Sequence, residues 1–386
     1  MVHRIGDRLR DPSGRGCVRE RIPLPRHRPR LGPHGGRLPG VSTRTVPPKG
    51  PRAAPTLEEV AARAGVSRAT ASRVLRGETN VSERARDAVR AAASEIGYSP
   101  NHAARSLVTG RSDSIAFLVD ETEERMFSDP FFLGMLRSAH EVLAAAGMQL
   151  VFTVASREED HRRFVSYAAG GHVDGVLLMS LHGRDELPQR LEEAGVPTVL
   201  SGRPLLGSAD LYYVDADNVG GARMATERLL AGGRRQVATV SGPLDMCAGQ
   251  DRLDGYRAAI EAGGAAYDES LVSVGEFTLA GGYAAMTRLL ERRPDVDAVF
   301  AASDLAALGA IRAIQQSGRS VPEDVAVIGF DDIPDAAHVD PPLTTVRQPV
   351  HELGATMTEL LLRRIRGEEP TPATVLPVEL VVRASA

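Results

Sequence analysis

Between residues 56 and 97 apolar positions recur at helical spacing in three short runs. In TLEEVAARAG, Leu57, Val60, Ala61 and Ala64 make one narrow stripe, the pattern of an amphipathic helix. Thr56 precedes the stripe and Glu59 follows three residues later. That is a capping box, in which two side chains satisfy free backbone donors at a helix start. Gly65 follows, where a left-handed residue ends a helix without a Cβ clash. Ser67 can cap a second helix, in which Ala71, Val74 and Leu75 share a face and Arg68, Ala69, Ser72, Arg73 and Arg76 lie opposite. Ser82 opens a third run, with Ala85, Val89, Ala92 and Ile96 facing inward and Gly97 at its end. A helix, a tight Gly turn and a second helix with a basic outer face predict a helix-turn-helix. The same pattern fits an αα-hairpin in a larger core, so alone it does not assign DNA binding.

Pro100 bars an α conformation at Ser99, and Asn101 to Thr109 then read as a short helix with Ala103, Ala104 and Leu107 on one side. So short a helix is marginal alone in water and needs a partner. From Ser114 the pattern changes. SIAFLVD, MQLVFTV, DGVLLMS and PTVLSG read as buried parallel strands, with helical stretches such as FFLGMLRSAHEVLAAAG between them. A second series, QVATVSG, LVSVGEF, DAVFAAS and VAVIGFDD, is separated by helices starting near Gly249, Ala280 and Asp304. Two successive βα series predict two doubly wound α/β subdomains with a cleft at the carboxyl ends of their strands. The expected divisions are an extension over 1–54, a helix-turn-helix head over 55–100, a short helix and connection over 101–112 and a two-subdomain body over 113–386.

Charge sharpens this division. Residues 1–50 carry 12 Lys and Arg against three acids, and 51–111 carry 10 Arg against six. Of the net −4, the rest of the chain therefore holds −17. The basic charge sits with the helix-turn-helix, and the acidic remainder should be repelled by phosphates, which suits a small DNA-reading head on a body with another task. Residues 1–50 are rich in Arg, Pro and Gly without apolar periodicity, so disorder is expected. We read them first as sequence upstream of the true start, with Val41 or Val46 marking a GTG codon. A basic arm adding phosphate affinity is the second reading, and a targeting peptide the third.

Cys17 and Cys247 make no disulfide or metal framework, which fits a reducing cytosol. No run of about 18 apolar residues predicts a membrane span. Neither GxGxxG after a first strand nor GxxxxGK[ST] occurs, so no nucleotide cofactor is expected, and no metal.

The head stretches TLEEVAARAGVSRATASRVLRG and VSERARDAVRAAASEIGYSPNHAARSLVTGRS resemble those of the lactose-repressor (LacI/GalR) family of transcriptional regulators. DGVLLMS, YVDADNVGGARMATERLL, DRLDGYRAAI, DAVFAASDLAALGAI, VPEDVAVIGFDDIP and PPLTTVRQPVHELG extend the resemblance from about residue 55 to the end. FSDPFF, GGHVDGVLLMSLHG and SGPLDM resemble actinobacterial sugar-responsive members, especially those answering to cello-oligosaccharides.

The resemblance implies a cytoplasmic homodimer on double-stranded, pseudo-palindromic operator DNA, released by a small-molecule effector, a mono- or oligosaccharide. It puts Arg68 and Ala69, with Arg73 one turn on, at the bases. Arginine can hold guanine through two hydrogen bonds, and Ala69 can touch a thymine methyl. Ser67, Thr70 and Ser72, with Thr56 at the first cap, are better placed for phosphates, which position without reading sequence. Arg76 stands where many relatives have Asn. Asn101, Ala104 and Leu107 fall in the implied hinge helix, where Leu107 would wedge between base pairs.

In the body the resemblance implies effector contacts at Arg252, Ser303, Asp331 and Gln348. Ser303 departs from the Asn of several relatives. Phe131, after Asp129 and Pro130, offers an apolar face to a sugar ring. Arg252 with Asp331 also fits a structural ion pair across the cleft, and Phe131 also fits ordinary core packing. A corepressor-dependent regulator answering to a non-sugar metabolite is the alternative function. A solute-binding protein would carry an export signal and no basic head. An enzyme would need a nucleophile elbow, metal spacing or paired-acid motif, none of which is seen.

Overall fold

The computed structural model describes residues 55–75, 77, 80–98, 110–183, 186–205 and 211–386. The expectations at residues 1–54, Arg76, Asn101, Ala104 and Leu107 lie outside the described residues.

The head contains α1 (Leu57–Ala64), α2 (Arg68–Leu75) and α3 (Glu83–Ile96). Thr56 and Glu59 form the reciprocal capping box, with Glu59 Oε2 2.8 Å from the Thr56 amide and Thr56 Oγ1 3.3 Å from the Glu59 amide. Gly65 ends α1 at φ 65°, ψ 33°, and its amide returns to the Ala61 and Ala62 carbonyls. Ser67 Oγ accepts from the Thr70 amide at 3.1 Å and so opens α2. The three helices close over Val60, Ala61, Ala71, Val74, Val89, Ala92 and Ala93, with Leu57, Ile96 and Tyr98 covering them. Ala85, expected inward, is half-buried.

The body is built on two six-stranded sheets. In sequence the strands are β1 (Ser114–Val119), β2 (Gln149–Val154), β3 (Gly175–Met179), β4 (Thr198–Ser201), β5 (Tyr212–Ala216) and β6 (Val237–Ser241). They continue with β7 (Val272–Val274), β8 (Ala298–Ala301), β9 (Ala326–Asp331), β10 (Thr344–Arg347), β11 (Ala373–Leu376) and β12 (Glu379–Val381). The first sheet runs β11-β5-β4-β3-β1-β2 and the second β12-β10-β9-β8-β6-β7. Neighbouring strands are parallel except β12, which is antiparallel to β10. Central strands are continuous apolar runs because helices cover both faces. Ile115, Phe117 and Val119 enter the core on one face of the first sheet, while Ala116 and Leu118 enter that on the other. Val299 and Ala301 against Ala298 and Phe300 repeat this in the second.

The helices that matter for the cleft are α4 (Glu123–Ser128), α5 (Pro130–Ala145), α6 (Glu158–Tyr167), α7 (Leu187–Glu193), α8 (Asn218–Ala231), α9 (Cys247–Ala262), α10 (Leu279–Arg292), α11 (Asp304–Gln316) and α12 (Val350–Ile365). The chain leaves the first subdomain after β5 and builds the second from α8 to β10. It then returns, packing α12 on α5 and on the first sheet and adding β11 beside β5, before crossing again to β12.

The structure corrects the strand reading in two respects. MQLVFTV reads as a buried strand and LVSVGEF as a strand of the second series. Instead β2 and β7 lie at sheet edges and are partly exposed, and β7 is cut to three residues. An edge strand has one neighbour, so apolar composition alone does not bury it. Strands β5, β10, β11 and β12 were not anticipated. They are three to five residues long and mix polar with apolar side chains, too little for periodicity to register.

Candidate functional site

The head presents one polar face on α2. Ser67, Arg68, Ala69 and Arg73 are exposed there, and Thr70 and Ser72 are half-buried beside them. Ser67 and Thr70 also touch through their hydroxyls at 2.9 Å. Arg68 Nε lies 2.5 Å from Glu58 Oε1 on α1, an exposed pair. The sequence reading missed Glu58, because ten residues separate the partners and only the helix crossing brings them together.

In the body, a cavity of about 650 Å³, part of it open to solvent, lies between the subdomains. Its walls include Ser180 beyond β3, Ser201 and Gly202 at β4, Asp215 in β5, Phe277 beyond β7 and Asp331 at the end of β9. All of these are at carboxyl ends of strands, where open α/β sheets bind ligands. Phe131, Arg252, Asp331 and Gln348 are brought together in this cavity. Ser303, 2% exposed, is not among its lining residues: its Oγ accepts from the Ala306 amide at 3.2 Å and caps α11. The free amides at a helix start give a buried serine this use.

Arg252 enters from α9 and is 5% exposed. Its Nε donates to Asn218 Oδ1 at 2.9 Å and its Nη1 to the Ala302 carbonyl at 2.5 Å, with Asp331 Oδ1 3.6 Å away. The guanidinium carbon stands 3.7 Å from the Phe330 ring centroid and 5.3 Å from that of Phe277. A planar cation stacked on rings suits arginine and not lysine. Asn218 passes the network on, donating from Nδ2 to Asp215 Oδ1 at 2.9 Å.

Asp331 has φ 121°, a left-handed backbone that costs a non-glycine residue about 1–3 kcal/mol and persists only when surroundings enforce it. Asp332 helps to enforce it. Its carboxylate accepts from Arg347 Nε at 2.7 Å and Arg383 Nη2 at 2.6 Å. The turn delivers the Asp331 side chain to the cavity, where Gln348 Nε2 donates to Oδ1 at 2.7 Å. Burial pushes Asp331 up to about 7, with Asp129 adding and Arg252 opposing. Burial likewise raises Asp129 and Asp215. Asp304, behind the cavity, is pushed well up by burial and by Asp331. Its oxygens accept from Thr345 Oγ1 at 2.5 Å and the Ile333 amide at 2.9 Å. Burial pulls Arg252 down.

Acceptors therefore crowd this cavity, with aromatic faces from Phe131, Phe132 and Phe277 beside them. Such a lining matches a neutral ligand that brings hydroxyl donors and apolar ring faces. The sequence reading did not select Asp129, Asp215, Asn218 or Phe277 as contacts. Asp215 lies in a strand the pattern does not reveal, and Phe277 ends a stretch read as strand. Among the described residues no group of three or more His, Cys, Asp or Glu is placed to hold a metal ion. No helix among them is long and apolar enough to cross a membrane.

Residues 56–101 match the bacterial regulatory proteins of the lacI family, and 226–386 match a periplasmic binding protein-like domain. The chain belongs to the lacI family, and is a helix-turn-helix transcriptional regulator with a periplasmic-binding-like body. It is 52% identical over 336 residues to the HTH-type transcriptional regulator CelR of Thermobifida fusca, covering 86% of this chain and 99% of that one. The ribose operon repressor of Halalkalibacterium halodurans is 34% identical over 331 residues, 85% of this chain and 96% of that one. A solved transcriptional regulator CelR–cellobiose complex shares 50% identity at a TM-score of 0.70, covering 86% of this chain and 100% of that one. The lac repressor dimer bound to operator and the anti-inducer ONPF shares 27% at 0.76, covering 86% and 99%.

Proposed function

We propose that this chain is a cytoplasmic homodimeric repressor, not an enzyme, released from a pseudo-palindromic operator by a cello-oligosaccharide such as cellobiose. The observation that carries the effector is the cavity itself. Its buried Arg252 and Asp331, its surplus carboxylates and its aromatic faces are a sugar's complement, and the relative solved with cellobiose is 50% identical. Every buried hydroxyl needs a partner, and this lining offers acceptors and a fixed guanidinium donor at once.

In this reading Arg252 and Gln348 donate to sugar oxygens, Asp331 accepts from hydroxyls and Phe131 lies against a ring face. Ser303 serves as a helix cap. In the head, Arg68, Ala69 and Arg73 meet base edges, while Thr56, Ser67, Thr70 and Ser72 meet phosphates. Asn101, Ala104 and Leu107 form the minor-groove hinge. The division into head (55–100), hinge (101–112) and effector-binding body (113–386) belongs to the same reading. The effector shifts the equilibrium by its differential affinity for two arrangements of the subdomains.

The test is fluorescence anisotropy of the full chain on DNA from its own upstream region at fixed salt, with cellobiose, glucose and longer oligomers titrated in. Release by cellobiose supports the reading. Tight binding that no sugar loosens overturns the effector assignment and favours a corepressor. Failure to select any DNA sequence from a random library overturns the regulator's operator-reading assignments.

A further inference from the structure

Arg125 differs from the other cation in the cavity. Arg252 is anchored by Asn218 and the Ala302 carbonyl. Arg125, on α4, donates Nη1 to Glu121 Oε1 at 2.6 Å, while its buried Nε has no hydrogen-bond partner among the described residues. Its side chain is 11% exposed and lines the cavity. Orphaned buried donors are rare and call for an explanation. A ligand in the adjoining cavity that draws the weakly anchored guanidinium toward its oxygens would supply one.

The surroundings of Arg125 come from both subdomains. Its guanidinium carbon is 5.7 Å from the Phe132 ring centroid on its own side and 5.3 Å from that of Phe277 across the cleft. Arg252 stands at 5.3 Å from the same Phe277 ring. One ring of the second subdomain is thus shared by two cations, one from each side.

Behind Arg125, Glu121 Oε1 also accepts from Ser180 Oγ at 2.8 Å and contacts His182 Nε2 at 3.0 Å. The other ring nitrogen of His182, Nδ1, is 3.0 Å from Asp245 Oδ2, beyond β6 in the second subdomain. The Gly183 amide adds a bond to the Asp245 carbonyl at 2.7 Å. Asp245 does not line the cavity, yet a continuous chain of contacts joins it to Arg125. Opening the cleft breaks that chain at His182–Asp245 and removes Phe277 from Arg125.

We propose that Arg125 is a specificity-determining effector contact, and that Glu121, His182 and Asp245 hold it in its binding position only while the subdomains are closed. Asp245 is then a positioning residue: effector and clasp favour the same closed arrangement, so each strengthens the other. The proposal rests on the sugar reading of the cavity.

Cellobiose binding to the full chain, measured by calorimetry, tests it. Arg125→Lys keeps the charge but loses Nε and the planar fork, and is expected to weaken cellobiose binding about tenfold or more. Asp245→Ala, outside the cavity, is expected to weaken it about threefold to tenfold through closure alone. The double variant is expected to lose less than the sum of the two. Melting curves show that each variant folds. A folded Arg125→Lys protein with wild-type affinity overturns the contact. Additive effects, or no effect of Asp245→Ala, overturn the clasp. If wild type itself binds no sugar, the sugar reading and the Arg125 contact fall together. The clasp is then judged by small-angle scattering, where Asp245→Ala must be more expanded than wild type or the clasp falls too.

Discussion

Arg68 of the second head helix is held by Glu58 of the first, Nε to Oε1 2.5 Å. In the absence of DNA the side chain assigned to a base is thus parked on a carboxylate. Exposed pairs of this kind are weak, so a guanine edge or a phosphate competes with it easily. Arg68→Ala should cost about 1–3 kcal/mol of operator affinity and relax specificity at one base position. Glu58→Gln should raise affinity by no more than about fivefold, and chiefly at low salt. Anisotropy on operator variants reads both. Uniform weakening of all sequences by Arg68→Ala would make this arginine a phosphate contact.

Ser303→Ala separates two uses of one hydroxyl. The hydroxyl caps α11, so its loss should cost about 1 kcal/mol of stability, a fall of about 2–4 °C in Tm for a body of this size. If cellobiose affinity fell tenfold at unchanged Tm, the hydroxyl would belong to the ligand instead.

Asp331 gives a pH signature. Its folded value, about 7, exceeds the ordinary 3.8. Between those limits the folded protein holds a proton that the unfolded chain has released. Stability from this group therefore falls as pH rises through that window. Asp331→Asn cannot ionise, so its Tm should rise relative to wild type between pH 5 and pH 8. The same variant should lose cellobiose affinity, because an amide replaces one carboxylate acceptor with a donor. A Tm difference that stays flat with pH would mean Asp331 titrates normally.

His182 loses its stabilising contribution in the same direction, at higher pH and through its charged form. Glu121 foremost, against some desolvation, and then Asp245 raise it to about 9 from 6.5. Its charged form is favoured in the folded state. Its contribution is complete below about pH 6.5 and disappears as pH climbs through about 9. Beyond Glu121 stands Arg125, whose charge turns the glutamate toward itself as well. The Tm gap between wild type and His182→Asn should therefore be widest near pH 6 and shrink by pH 9.5. A gap independent of pH would mean the histidine is held neutral.

The helix-turn-helix was legible because its signals are local. Thr56, Glu59, Gly65, Ser67 and Ser82 each act within four residues of chain, and the structure uses each as a cap or stop. Buried central strands were legible as apolar runs. The cleft walls were less so. Arg125 and Phe277 come from different subdomains, and no periodicity relates residues 152 positions apart. The return of α12 and β11 to the first sheet was likewise hidden. Strand β11 is four residues of mixed character, and only pairing with β5 makes it a strand.

That return has a consequence for how the chain is made. The first sheet has five of its strands by residue 216, yet its sixth, Ala373–Leu376, and its covering helix Val350–Ile365 come after the second sheet's β10. Domains emerging from the ribosome usually fold in order, amino end first. Here the earlier half must wait, one side covered only by α5, until most of the later half has been synthesised. Ribosome-bound chains stalled before residue 350 should stay protease-sensitive in the first subdomain, and chains released past residue 381 should gain protection in both subdomains together.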